Sequence, residues 1–197
     1  MCKSILNIVN MNILDWNPQG HISPIYVSEP TDSKRSPYKI SLLEFYKRFS
    51  TSDDRRKILD GFVAYRQKLH SLGFIEGFQW VDGSFLELIE KKENRSPRDI
   101  DVVTFIEDYP TDIQEKLAYI QAEFPNLIQP LSKQLFMCDA YIVMIPELTP
   151  KDLIASTAYW YGLWSHTREM HWKGFVEINL DPAEDKVLAD FLRGDSQ

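Results

Sequence analysis

Two aspartates two positions apart, Asp99 and Asp101, open an apolar and β-branched run, RDIDVVTF. Side chains at i and i+2 of a strand share a face, so both carboxylates project together. Held side by side they resist joint ionisation unless a cation neutralises them. Hard oxygen donors suit Mg2+ or Mn2+. A third aspartate, Asp139, interrupts a second apolar run, FMCDAYIVMI. An ionised carboxylate inside a buried strand is costly, so Asp139 either faces water at a strand end or completes a site as a third ligand. Upstream, WVDGSF places Gly83-Ser84 where a strand turns into a helix. Glycine lets a ligand approach the backbone, and the free amides and positive end of a helix start suit a phosphate. Paired metal ions held by such carboxylates activate an attacking hydroxyl and steady a leaving pyrophosphate. A plainer reading stands beside each feature: a Gly-Ser pair that only turns the chain, and strand-end aspartates that only face solvent.

The elements that must position these residues follow from pattern. Residues 1 to 40 hold Pro18, Pro24, Pro30 and Pro37 with Gly20, and read as an irregular N-terminal arm or lid. The segment SLLEFYKRF predicts a short helix. DDRRKILDGFVAYRQKLHSLG predicts a long one, capped by Ser52, closed by Gly73, and turning Ile58, Leu59, Phe62, Val63, Tyr65, Leu69 and Leu72 inward. FIEGFQWVD, IDVVTFI, QLFMCDAYIVMI and GFVEINL predict strands. Further helices are expected over 85–92, over 112–123 with Ile113, Leu117 and Ile120 inward, from Pro150, and over DPAEDKVLADFL. The order of elements supports a sheet covered by helices, with residues 41–197 as the domain that follows the arm.

Composition narrows the classes. Hydrophobic residues at 44% and aromatics at 13% suffice for a sizeable core, so disorder is excluded as the default. A net charge of -7 argues against a non-specific nucleic-acid coat, which needs a basic excess. The two cysteines, Cys2 and Cys138, imply no disulfide framework, and Cys138 reads as a buried thiol. The start shows no signal-peptide pattern, and the longest apolar run, residues 141 to 145, is too short for a bilayer. A cytoplasmic protein without a membrane partner is the expectation.

The order Gly83-Ser84, a short helix, Asp99-Ile100-Asp101 with apolar residues following, then a strand Asp139, resembles the nucleotidyltransferase superfamily typified by DNA polymerase beta. That family pairs a glycine-serine turn with an hDhDh strand (h apolar) and a later carboxylate. Here Arg98 replaces the apolar position before Asp99. The stretches SPYKISLLEFYKRF, RRKILDGF, GFQWVDGSF and SPRDIDVV, with the late Arg168 and HWKGFVEINL, look like a family of small, stand-alone, uncharacterised bacterial nucleotidyltransferase-like proteins, over about residues 18 to 180. The resemblance implies an α+β fold, a mixed β-sheet flanked by helices. It implies Mg2+ or Mn2+ on Asp99, Asp101 and Asp139, with Asp139 also helping to deprotonate an acceptor hydroxyl. Gly83 and Ser84 would hold the triphosphate of ATP, CTP or another NTP. The acceptor would be a tRNA, a protein or a small molecule. Small stand-alone members resemble toxins of toxin–antitoxin or phage-defence systems, so an antitoxin or operon partner is expected with them. The alternative is a non-catalytic nucleotide-binding sensor or regulatory subunit.

Other residues are weighed more lightly. Arg95, Arg98, Lys133, Arg168 and Lys173 are candidate phosphate contacts, Lys173 and Arg168 foremost, against a default of solvated surface charges. His166 and His171 lack a zinc spacing and read as surface or packing histidines. His21 and His70 give no signal. Tyr159, Trp160, Tyr161 and Trp164 suit core packing more than base stacking. Glu87 and Glu90 follow the Gly-Ser turn and read by default as a solvated helix face, with reach to the site as the alternative for Glu87.

Overall fold

The computed structural model describes residues 13–194; Cys2 lies outside the described residues. Five strands form one mixed sheet: β1 (Tyr38–Lys39), β2 (Gly77–Asp82), β3 (Ile100–Ile106), β4 (Cys138–Met144) and β5 (Val176–Asn179), in the spatial order β1-β5-β2-β3-β4. β2 runs antiparallel to β3 and β5, whereas β3–β4 and β1–β5 are parallel pairs. β3 has a neighbour on each side and buries every residue but Asp101, which is half-buried. Its unbroken apolar run reflects that two-sided burial. A parallel pair needs a crossover. The chain makes it through α4 (Ile113–Glu123), a 3-10 turn (Phe124–Leu127) and α5 (Leu131–Phe136). β4 therefore starts level with the start of β3.

Strand alternation sorts the side chains onto two faces. Val81, Gln79, Val102, Thr104, Ala140 and Ile178 share one, which is covered by α2 (Asp53–Ser71), with α1 (Leu42–Phe49) and α7 (Pro182–Gly194) packed beside it. Both first helices start from serine caps. Ser41 and Glu44 form a reciprocal capping box, and Ser52 accepts from the Arg55 amide. Ile58, Leu59, Phe62, Tyr65 and Leu69 line the buried side of α2 as their spacing predicts. Gly61 has a packing reason: a Cβ there would stand 2.1 Å from the Phe136 carbonyl oxygen of α5. The opposite face carries Asp82, Trp80, Asp101, Phe105, Asp139 and Tyr141. Here α6 (Pro150–Trp164) lays down Trp160, 4.9 Å from the Tyr141 ring, and Trp164, 6.0 Å from Phe175. The N-terminal arm is tied on by Trp16, which packs on Phe49 and donates to the Leu86 carbonyl at 2.7 Å, and by the Gly174 amide bonding Ile22.

Several expectations need correction. The helix expected over 85–92 is broken into a 3-10 turn (Ser84–Leu86) and a short α3 (Ile89–Glu93). Leu117 is exposed, while Ile120 carries the buried side of α4. Gln134 to Phe136 belong to α5 rather than to a strand, and β1 had no signal. On α6 only Trp160 and Trp164 are core; Tyr159 and Tyr161 are exposed. Cys138 is a buried free thiol, held far above its usual range by burial. Among the described residues, no helix is long and apolar enough to cross a membrane.

Candidate active site

The registers of three neighbouring strands place three carboxylates in one row. Asp82, the last residue of β2, is opposite Asp101 of β3, and Asp101 is opposite Asp139 of β4. Residues directly opposite share a face, and adjacent strands are about 4.8 Å apart. Asp99 lies two residues before Asp101, just outside the strand. The sequence-derived trio of Asp99, Asp101 and Asp139 is thus brought together. Asp82 joins it as a fourth member, which the sequence reading passed over. Its signal was available in WVDGSF: a carboxylate closing an otherwise apolar strand, as Asp101 opens one.

Gly83 follows at φ +88°, a region that side chains rarely adopt. A Cβ at Gly83 would lie 1.9 Å from Asp101 Oδ2, so the carboxylate occupies the space that the missing side chain leaves. Ser84 opens the 3-10 turn, and its hydroxyl makes no hydrogen bond among the described residues. A three-residue turn carries far less dipole than the helix expected there. The turn is instead fixed by Arg55, fully buried, which donates to the Phe85 carbonyl (2.6 Å), the Glu87 carbonyl (2.7 Å) and Glu90 (2.6 Å). Sequence reasoning placed Glu90 on a solvated helix face and gave Arg55 no role of its own.

Two lysines meet the carboxylates. Lys173, expected on the nucleotide, is buried, and its ammonium lies 2.8 Å from Asp82 Oδ2 and 3.7 Å from Glu87. Glu87, expected on a solvated face, is also buried and pairs with Lys92; His21 Nε2 lies 2.7 Å from the Lys92 ammonium. Lys133, half-exposed on α5, pairs with Asp99 and reaches to 3.7 Å from Asp139. Arg168 is exposed in the segment between α6 and β5, and makes no ion pair or hydrogen bond among the described residues. His166 packs edge-on against Trp172, and His171 lies 6.0 Å from His21.

The row is electrostatically loaded. Burial, then Asp82, Asp99 and Asp139, push the Asp101 carboxyl up to about 7. The Asp101 side chain makes no hydrogen bond or ion pair among the described residues. Burial raises Asp82 against the opposing pull of Lys173, and raises Asp139 against that of Lys133. Burial also pulls Lys173 down, but Asp82 and Glu87 outweigh it and hold the ammonium above the ordinary lysine range. The Oδ1 atoms of Asp82 and Asp139 are buried without a hydrogen-bond partner among the described residues. Among the described residues no three acidic, imidazole or thiol groups form a ready-made metal cage. The donor set nonetheless fits a hard divalent cation: oxygen only, in surplus of negative charge, with buried oxygens left unsatisfied.

Residues 14–179 match the Family of unknown function (DUF6932). No curated protein and no solved structure matches the chain.

Proposed function

We propose that this chain, which belongs to the DUF6932 family of unknown function, is a metal-dependent nucleotidyltransferase that transfers NMP from an NTP to a hydroxyl. The observation that carries the reading is the register Asp101 opposite Asp139, with Asp99 two residues before Asp101 and the Gly83 turn against Asp101. Asp99, Asp101 and Asp139 would hold Mg2+ or Mn2+. When bound, such an ion supplies charge neutralisation for the triphosphate and favours ionisation of the attacking hydroxyl.

The chain's own residues do the rest. The side-chain-free Gly83 lets phosphate oxygens come close to the backbone, and the unpaired Ser84 hydroxyl is free to donate to them. Arg55 fixes the turn that presents both. Asp139 takes the proton of the acceptor hydroxyl. The acceptor oxygen then attacks the α-phosphorus in line as the bond to the bridging oxygen breaks, and pyrophosphate leaves. Positioning and electrostatics carry such a step. Arg168, exposed and unpaired, is available to the incoming nucleotide. The acceptor is a tRNA, a protein or a small molecule, and a role as a toxin or phage-defence component with an operon partner fits a small stand-alone enzyme.

One observation favours a second reading, a nucleotide sensor without turnover: Lys133 and Lys173 already neutralise part of the row. Incubation with each labelled NTP, Mg2+ or Mn2+ and cell lysate separates the two. A labelled product that disappears with Asp101→Asn supports transfer. Nucleotide binding without product or pyrophosphate under every condition would sink the enzyme reading in favour of the sensor.

A further inference from the structure

We infer that Asp82 is a ligand of the divalent ion, offering Oδ1 while Lys173 grips Oδ2 and sets the carboxylate's orientation. This rests on the metal site just proposed and extends it to a residue outside the Gly-Ser, Asp-x-Asp and late-Asp pattern. Two observations carry it. Asp82 is 3% exposed, and among the described residues its Oδ1 has no hydrogen-bond partner. A buried carboxylate oxygen without a donor is costly and calls for an explanation. The residue directly opposite is Asp101, which has no ion-pair partner of its own.

Lys173 explains how the oxygen stays available. Its ammonium is buried and lies 2.8 Å from Oδ2, with Glu87 at 3.7 Å on its other side. Glu87 is in turn paired with Lys92. The chain Asp82–Lys173–Glu87–Lys92 alternates in sign, and fixes the rotamer of Asp82 much as a hydrogen-bonded outer partner orients a metal ligand. Asp82 therefore enters the site already oriented, whereas Asp99 must leave Lys133 or share it. Lys173 is in this account a positioning residue, and acts on the ion only through Asp82.

Mn2+ affinity of the nucleotide-free protein, measured by titration calorimetry and by the EPR signal of free Mn2+, tests the assignment apart from turnover. Wild type binds Mn2+ and Asp101→Asn loses it. Asp82→Asn weakens binding at least roughly tenfold, and the charge-neutral double variant Asp82→Asn/Lys173→Met does the same. Exchanging a buried pair together for neutral groups is tolerated far better than breaking it; near-UV CD checks each fold. A folded double variant that binds Mn2+ as tightly as wild type would overturn the inference, since Asp82 would then be only the partner of Lys173. In wild-type protein, saturating Mg2+ must also shift the 15N resonance of the Lys173 ammonium, and an unmoved signal overturns the inference without any variant. Loss of Mn2+ binding in both Asp82 variants, with no nucleotidyl product from wild type, would sink the transferase reading and leave this one standing. Wild type that binds no Mn2+ sinks the metal site and this inference with it.

Discussion

The polar cluster around Arg66 and the row of aspartates lie on opposite faces of the same sheet and are balanced in opposite ways. Arg66 is fully buried, and its guanidinium donates to Asp185 (2.6 Å), to Gln79 (2.7 Å) and to the Asn179 carbonyl (2.9 Å). Gln79 passes the chain on to Thr104 at 3.0 Å. Among the described residues the aspartate row has surplus acceptors: Asp82 Oδ1 and Asp139 Oδ1 accept no hydrogen bond, and the Asp101 side chain makes no hydrogen bond or ion pair. A satisfied buried network specifies a fold, whereas an unsatisfied one stays costly until a ligand arrives. The first cluster ties α2, β2, β5 and α7 together. The second leaves stability unclaimed at the end of β2 and the starts of β3 and β4.

The largest expected effect breaks the satisfied side. Arg66→Met orphans the buried Asp185 carboxylate, and should destabilise the protein by about 3–5 kcal/mol in denaturant unfolding. A loss under about 1 kcal/mol would mean the cluster is not structural.

Next comes the pH dependence of the row. An acid that titrates higher folded than unfolded costs nothing while protonated. Its penalty grows between the two values and is constant above. For Asp101, raised from 3.8 to about 7, chelator-treated protein should lose on the order of 2–4 kcal/mol as pH rises through that window. Asp101→Asn should flatten the loss, and Mg2+ should recover it at pH 8. A melting temperature that rises across the same window would contradict the contrast drawn here.

The smallest effect sharpens it. Lys133 is half-exposed, so Lys133→Ala should move stability by under about 1 kcal/mol. Removing that competing cation should still tighten Mg2+ binding several-fold, read by titration calorimetry. Weaker binding would place Lys133 in support of the site rather than in competition for it.

Legibility divided along physical lines. β3 and β4 were readable because β-branched, two-sided apolar runs are local signals, and the long α2 because its caps and inward spacing are local too. The helix expected over 85–92 failed because a distant residue intervenes: Arg55 takes the Phe85 and Glu87 carbonyls that a continuous helix would use. The aromatic helix split because Trp160 and Trp164, four apart, face the sheet together, while Tyr159 and Leu163 lie on the outer side. Lys173 looked like a free phosphate contact because it precedes Gly174 and a strand; its burial beside Asp82 comes from β5 pairing with β2.

The sequence by itself determined the kinds of element, the three acidic positions and the glycine turn, because caps, periodicity and an i, i+2 pair are properties of a few consecutive residues. Only the tertiary structure decided that Asp82, Asp101 and Asp139 share one row, and that Lys173 and Lys133 stand as their counter-charges. Register between strands depends on crossover length and core packing across the whole chain, and the charge balance of a buried site depends on which residues from remote segments are excluded from water beside it.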